Sequence, residues 1–286
     1  MKITPRYDGP PVITLDGDDR PEVGADVARA CVRQRERLVA TFAGLDDDAW
    51  QAPSRCEGWT MQDVAEHVDS VTRYFTLSIG AGLAGEPTRF LDGFDPKATP
   101  AELVAAAGSP DPADTLARLT ASCAELGELV TGISGDQWSL PAEAPAGHLP
   151  VRLVVHHALW DSWVHERDVA LPLGLEPGVE PDELVLSLRF VAALGPAFAL
   201  SKDLARPSTL VLETTGPDAR VVVDVTDTVH VHDGPVPDPT VVLRGRAVDL
   251  LEELSIRAPQ SVTVPDEDGW LLTSLAMLFE SPHPAA

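Results

Sequence analysis

The chain has 286 residues, 44% of them hydrophobic and 23% charged, the balance of a globular protein long enough for two domains. Against 45 acidic residues stand only 21 basic ones, a net charge of −24, which excludes neutralising nucleic-acid phosphates and disfavours docking on an anionic membrane. Three cysteines, Cys31, Cys56 and Cys123, stand without CxxC spacing, as expected of a reducing compartment.

Residues 1–20 hold no apolar core of signal-peptide length, and no run of about 18 apolar residues occurs, so the expected location is the cytoplasm. This stretch reads as an N-terminal extension. "DVARACVRQRERLVATFAGL" then spaces Val27, Cys31, Leu38 and Phe42 near the helical period, and the helix ends near Gly44. After the loop "DDDAWQAPSRCEG", Thr60 and Asp63 have the form of a capping box, which predicts a helix from Thr60 to about Gly82. "DPADTLARLTASCAELGELVTGI" predicts a third helix with Leu116, Leu119, Leu126 and Leu129 on one side. Beyond the Pro-rich "LPAEAPAGHLP", a fourth helix spans roughly 151–170 and stops at Pro172 and Gly174.

These helices carry a weak internal repeat. "LDDDAWQAP" and "ISGDQWSLP" each precede a helix bearing D-x-x-x-H, Asp63 to His67 and Asp161 to His165. Two related hairpins closing into a four-helix bundle over 21–174 follow from that pattern. From 175 to 286 the pattern changes to one more helix, "DELVLSLRFVAALGPAFAL". Four strand-like runs follow: "STLVLETT", "ARVVVDVT", "TVHVHDG" and "TVVLRGRA". "VDLLEELSI" and "GWLLTSLAMLF" read as helices covering one face of an antiparallel sheet, giving an α+β second domain.

The chemistry concentrates in "HHALWDSWVHERDV", residues 156–169. Helical residues four apart are offset by about 40° and 6 Å, so His157, Asp161 and His165 share a stripe whose ends are too far apart for one ion. One ion takes either His157 with Asp161 or Asp161 with His165, and a third ligand comes from elsewhere; His67 is the candidate, through the repeat. The set His67, Asp161 and His165 leaves an open position, which suits a catalytic zinc and also a non-haem iron. Asp168, one turn beyond His165, is placed to hold a ligating imidazole in one tautomer. By itself a D-x-x-x-H pair is ordinarily an ion pair, and His157 an interior or rim histidine. Trp160 and Trp163 read as packing, and Asp63 as a cap. Cys56 reads as a structural thiol, with no histidine or arginine motif beside it. His230 and His232 read as a surface pair on one strand face without a carboxylate at matching spacing.

"PSRCEGWTMQDVAEHV" together with "HHALWDSWVHERDVALPLG" resembles the mycothiol-dependent maleylpyruvate isomerase family, within the DinB-like metalloenzyme superfamily. Cys56, Gly58, Trp59, Thr60, Asp63 and His67 match the family's C-x-G-W-T-v-x-D-l-x-x-H segment. His165 and Asp168 match its E-x-x-x-H-x-x-D segment, with Asp161 where the family more often has glutamate. The resemblance implies a DinB-like four-helix bundle holding a divalent ion, usually zinc, on His67, Asp161 and His165, followed by a small α+β domain resembling sterol-carrier proteins. It implies mycothiol, a low-molecular-weight thiol, as cosubstrate, and attack of a metal-activated thiolate on a small electrophile, giving isomerisation or S-conjugation. Arg257, in "LSIRAP", is the candidate catalytic residue, gripping a substrate or thiol carboxylate bidentately. The expected partners are that electrophile and thiol, with a monomer or small homo-oligomer as the assembly. The competing readings are a non-catalytic small-molecule binding module with a vestigial metal site, and a non-haem iron oxygenase.

Overall fold

The computed structural model describes residues 2–16, 21–108 and 110–277. Two long helices open the chain after a short strand: β1 is Ile13–Leu15, α1 is Pro21–Ala43 and, past the single-turn α2 at Asp47–Gln51, α3 is Met61–Leu83. The capping box expected at the start of α3 is present, Thr60 accepting from the Asp63 amide and Asp63 accepting from the Thr60 amide. Next come α4, Ala98–Ala107; α5, Pro112–Thr131; the hairpin β2, Pro141–Ala144, with β3, Gly147–Pro150; and α6, Val151–Ala170. Val27, Cys31, Leu38 and Phe42 of α1 and Leu119 and Leu126 of α5 are all buried, as their spacing predicts, while Leu116 and Leu129 are half-buried. In the packing, α6 touches α1 and α3, and α5 touches the same two helices from the other side.

Of the 20 residues of α6, 17 are buried. An amphipathic helix buries one stripe, so a helix covered all round must find a partner for every polar side chain it carries. The covering neighbour beyond α1 and α3 is α7, Pro181–Ser201, which by length and composition alone could cross a bilayer. Here its apolar residues, among them Leu188, Phe190, Leu194 and Phe198, fill the space between α6 and a five-stranded sheet.

That sheet has the order β1-β6-β5-β4-β7, with β4 at Ser208–Thr215, β5 at Ala219–Val225, β6 at Val229–His232 and β7 at Val241–Arg246. All four runs expected in this half are strands. The sheet is mixed rather than antiparallel: β4–β5 and β5–β6 are antiparallel hairpins, while β7 lies parallel to β4 and β1 parallel to β6. Residues 233–240 carry the chain past β5 and β4 to the far edge, so β7 runs in the same sense as β4. Helices α8, Ala247–Leu254, and α9, Trp270–Thr273, pack on α7, with one 3₁₀ turn from Ser274 to Met277. Leu278 and Phe279, the end of the helix expected there, lie outside the described residues. His230 and His232 do share a face, with ring centroids 5.6 Å apart. Each has a carboxylate supplied by another strand or turn, Asp16 at 3.1 Å and Asp224 at 2.9 Å, so neither pairing was visible as local spacing.

Candidate active site

A loop and three helices meet at one end of α6. Between α2 and α3, Gly58 takes φ +75°, a left-handed turn that suits glycine. Ser54 and Trp59 close the loop by a 2.9 Å backbone bond, and the Arg55 amide donates to the Asp168 carbonyl at 3.0 Å. Cys56 is thereby fixed beside the last turns of α6. Two turns into α3, His67 stands against Trp59 on one side and His165 on the other, with centroid separations of 5.1 and 4.9 Å.

The structure brings His67, Asp161 and His165 together: one potential donor atom from each lies within 4.8 Å of the others. His165 Nε2 is 3.8 Å from Asp161 Oδ1, while its Nδ1 is 3.1 Å from Asp168 Oδ2. Asp161 Oδ2 is buried and has no hydrogen-bond partner. The other buried carboxylates of α6 are satisfied: Glu166 accepts from Gln34 and Arg37, and Asp168 from Arg257. His157 does not join the cluster. Its ring stacks on Phe190 at 5.1 Å and meets Phe75 edge-on, with Nδ1 buried and unpartnered. Trp163 is fully buried packing, and Trp160 is both packing and cavity wall, its indole N–H donating to Ser255 at 2.8 Å.

A second constellation lies behind the first. Cys56 Sγ donates to Asp168 Oδ2 at 3.3 Å and sits 3.9 Å from His165 Nδ1. Arg257 Nε and Nη2 each donate to Asp168 at 2.9 Å, and Nη2 comes within 4.0 Å of Cys56. A histidine and an arginine therefore do flank this thiol; they arrive from 109 and 201 residues away in the chain. Arg257 lies where a site residue was expected, and the bidentate grip foreseen for a substrate carboxylate is made with Asp168. Around it, Glu252 of α8 accepts from Arg55 at 2.6 Å and from Arg167 at 2.6 Å.

These contacts set the charges. Burial and the neighbouring His165 push His67 down to about 4, so its imidazole is neutral near pH 7. Burial alone would lower His165 too, but the hydrogen bonds to Asp168 and Cys56 override it and raise the group to about 10. Asp168 is itself deeply buried, yet Arg257 and His165 hold it well below the usual carboxylate range. The Cys56–His165–Asp168 group also has metal-like spacing, but the Arg257 guanidinium already balances the Asp168 charge, whereas Asp161 Oδ2 in the other group has no partner. A cavity of about 880 Å³ opens here, lined by Cys56, Trp59, His67, His157, Asp161, His165 and Arg257 among others.

Helices thus close a histidine–carboxylate cluster at a cavity, and an arginine from the segment after α8 reaches it. A crystal structure of the mycothiol-dependent maleylpyruvate isomerase matches with a TM-score of 0.58 and 19% identity, over 85% of this chain and 91% of that one. A histidine-to-alanine mutant of that isomerase matches with the same TM-score at 18% identity, over 86% and 95%. The fold is thus the maleylpyruvate isomerase fold. Residues 31–170 match the mycothiol maleylpyruvate isomerase N-terminal domain, and this part of the chain belongs to that domain family. No curated protein matches the chain.

Proposed function

We propose that the protein is a mycothiol-dependent, metal-assisted thiol transferase or isomerase acting on a small electrophile. Family membership supports the thiol and the enzymatic character. The observation that carries the metal is Asp161 Oδ2, a buried carboxylate oxygen with no partner beside two imidazoles. An unsatisfied buried acceptor costs about 1–3 kcal/mol, and more when charged, which a divalent cation on His67, Asp161 and His165 removes. Two nitrogens and one oxygen with an open position are the donor set of a catalytic zinc.

Zinc bound there would supply Lewis acidity, lowering the pKa of a thiol at the open position so that thiolate is present at neutral pH. The protein's own groups prepare that position. Asp168 fixes the His165 ring with Nδ1 toward itself, so Nε2 faces Asp161. Arg257 keeps Asp168 ionised for that task. Burial keeps His67 neutral and able to donate its lone pair. Cys56 stays on the Nδ1 side of His165, bonded to Asp168, and leaves the opposite edge to the thiol cosubstrate. A thiolate at that position would form a carbon–sulfur bond to the electrophile. Protonation of the adduct at the adjacent carbon gives the S-conjugate, whereas rotation and expulsion of the same thiolate give the geometric isomer.

Metal content of the purified protein, measured by mass spectrometry beside His165→Ala and His67→Ala, tests the assignment. About one zinc per chain in the wild type, lost in both variants with the far-ultraviolet spectrum unchanged, is the expected result. Metal retained in both variants would remove the site from this reading.

A further inference from the structure

We propose that the electrophile is uncharged and carries an aromatic or alkyl body, which lies on an apolar wall of the cavity that also holds the histidine cluster; the proposal rests on the thiol chemistry inferred above. The cavity lining contains two unlike groups of residues. One is polar, built from Cys56, His67, Asp161 and His165. The other comes from the 86–97 segment and α4, with Phe90, Leu91, Phe94, Leu103 and Val104 lining it. Phe90 is 64% exposed and Leu103 52% exposed. They belong to two different elements yet stand on the same cavity, so their apolar surface is left open where a ligand would cover it.

This wall is held in place. Glu143 is fully buried in the hairpin, and its carboxylate accepts from the Phe90 amide at 3.0 Å, the Leu91 amide at 2.8 Å, Thr88 Oγ1 at 2.6 Å and Tyr7 Oη at 2.6 Å. His148 lies between the Tyr7 and Thr88 carbonyls, with Nδ1 at 3.1 Å and Nε2 at 2.8 Å, and its ring N–H donates to at least one of them. Phe90 therefore projects from a backbone fixed on both edges, as a built subsite requires.

The cations of the cavity are also spoken for. Arg55 faces Glu252 at 2.6 Å, Arg73 faces Asp69 at 3.0 Å and Arg257 faces Asp168 at 2.9 Å. Lys97 lines the same cavity together with the carboxylates Glu57, Glu66, Asp69 and Asp161. A substrate with two carboxylates would have to displace protein carboxylates from these pairs, whereas a neutral one displaces only water from the apolar wall. At about 880 Å³ the cavity lies near the top of the roughly 300–1,000 Å³ range of ligand pockets, room for thiol and electrophile together.

Diethyl maleate and maleate share one electrophilic double bond and differ in charge. With mycothiol as the thiol, and each rate divided by its uncatalysed rate, the wild-type enzyme is expected to prefer the diester. Phe90→Asp and Leu103→Asp, both at exposed positions that the fold tolerates, should raise KM for the diester about tenfold, equivalent to about 1.4 kcal/mol. KM for mycothiol and the metal content should stay unchanged. A preference for maleate, or an unchanged KM in both variants, would overturn the proposal. A second measurement separates it from the thiol chemistry: titration with N-phenyl-1-naphthylamine, a neutral fluorophore that brightens in apolar sites. Binding by the wild type that is lost in both variants supports the apolar subsite even where no thiol adduct forms with any electrophile, an outcome that removes the thiol reading alone. Absence of binding overturns the subsite whatever the turnover.

Discussion

His165 spends its two ring nitrogens on different neighbours, Nδ1 on Asp168 and Nε2 toward Asp161, and this division gives the site its pH behaviour. In the metal-free protein the imidazole is raised to about 10 and is protonated at pH 7. A metal binds only the neutral ring, so binding must release that proton. The expected result is a zinc affinity that improves about tenfold per pH unit between pH 7 and 9, with about one proton released per ion. Calorimetry in buffers of different ionisation enthalpy measures both. The sign for folding is opposite. A histidine raised above its unfolded value of about 6.5 stabilises the metal-free fold fully below that pH, and the contribution fades as pH rises through about 10. Denaturant midpoints of metal-free protein should therefore fall from pH 7 to 10 if this group dominates the titration. A flat profile with no proton release would show His165 to be neutral in the metal-free protein.

At the scale of elements, the Glu143 knot joins the β2–β3 hairpin to the cavity wall. Glu143→Gln replaces an acceptor oxygen by an amide NH₂ that faces backbone N–H groups or hydroxyls. A loss of about 2 kcal/mol is expected from the orphaned donors, read as a lower denaturant midpoint with faster hydrogen exchange at Phe90 and Leu91. Unchanged exchange would mean that the wall is held by its packing alone. The elements themselves were unequally legible. Helices α1, α3, α5 and α6 announced themselves because each carries a period or a cap within its own span, Thr60 and Asp63 above all. α4 buries only Val104, and a helix without an apolar stripe has no period to read. β2 and β3 end in paired Pro141 and Pro150, residues that ordinarily argue against strands. Of the site, His67, Asp161, His165 and Asp168 could be brought together on paper because three of them share one helix. The environment of Cys56 could not, since Arg257 reaches it across 201 residues.

Across the whole molecule, the two halves are fastened at the site by charge. Glu252 of α8 takes Arg55 from the loop before α3 and Arg167 from α6, and all three side chains are at most 16% exposed. Breaking a buried pair by removing one partner's charge costs about 3–5 kcal/mol. Glu252→Gln should therefore lower the thermal midpoint markedly and shift the Arg257 segment against Cys56, with turnover falling alongside. An unchanged midpoint would mean the interface rests on α7 alone. The other fastening is β1, which completes the edge of the sheet at β6 although Thr14 and His230 are 216 residues apart. During synthesis at about 5–20 residues per second, β1 waits on the order of ten to forty seconds for the strand it pairs with to be made. Until then the upstream helices can assemble, but the sheet cannot close. β1 is thus made long before the strand it pairs with, which makes its own unpaired edge the point where a chaperone, or a second unfinished copy, has its longest opportunity to bind.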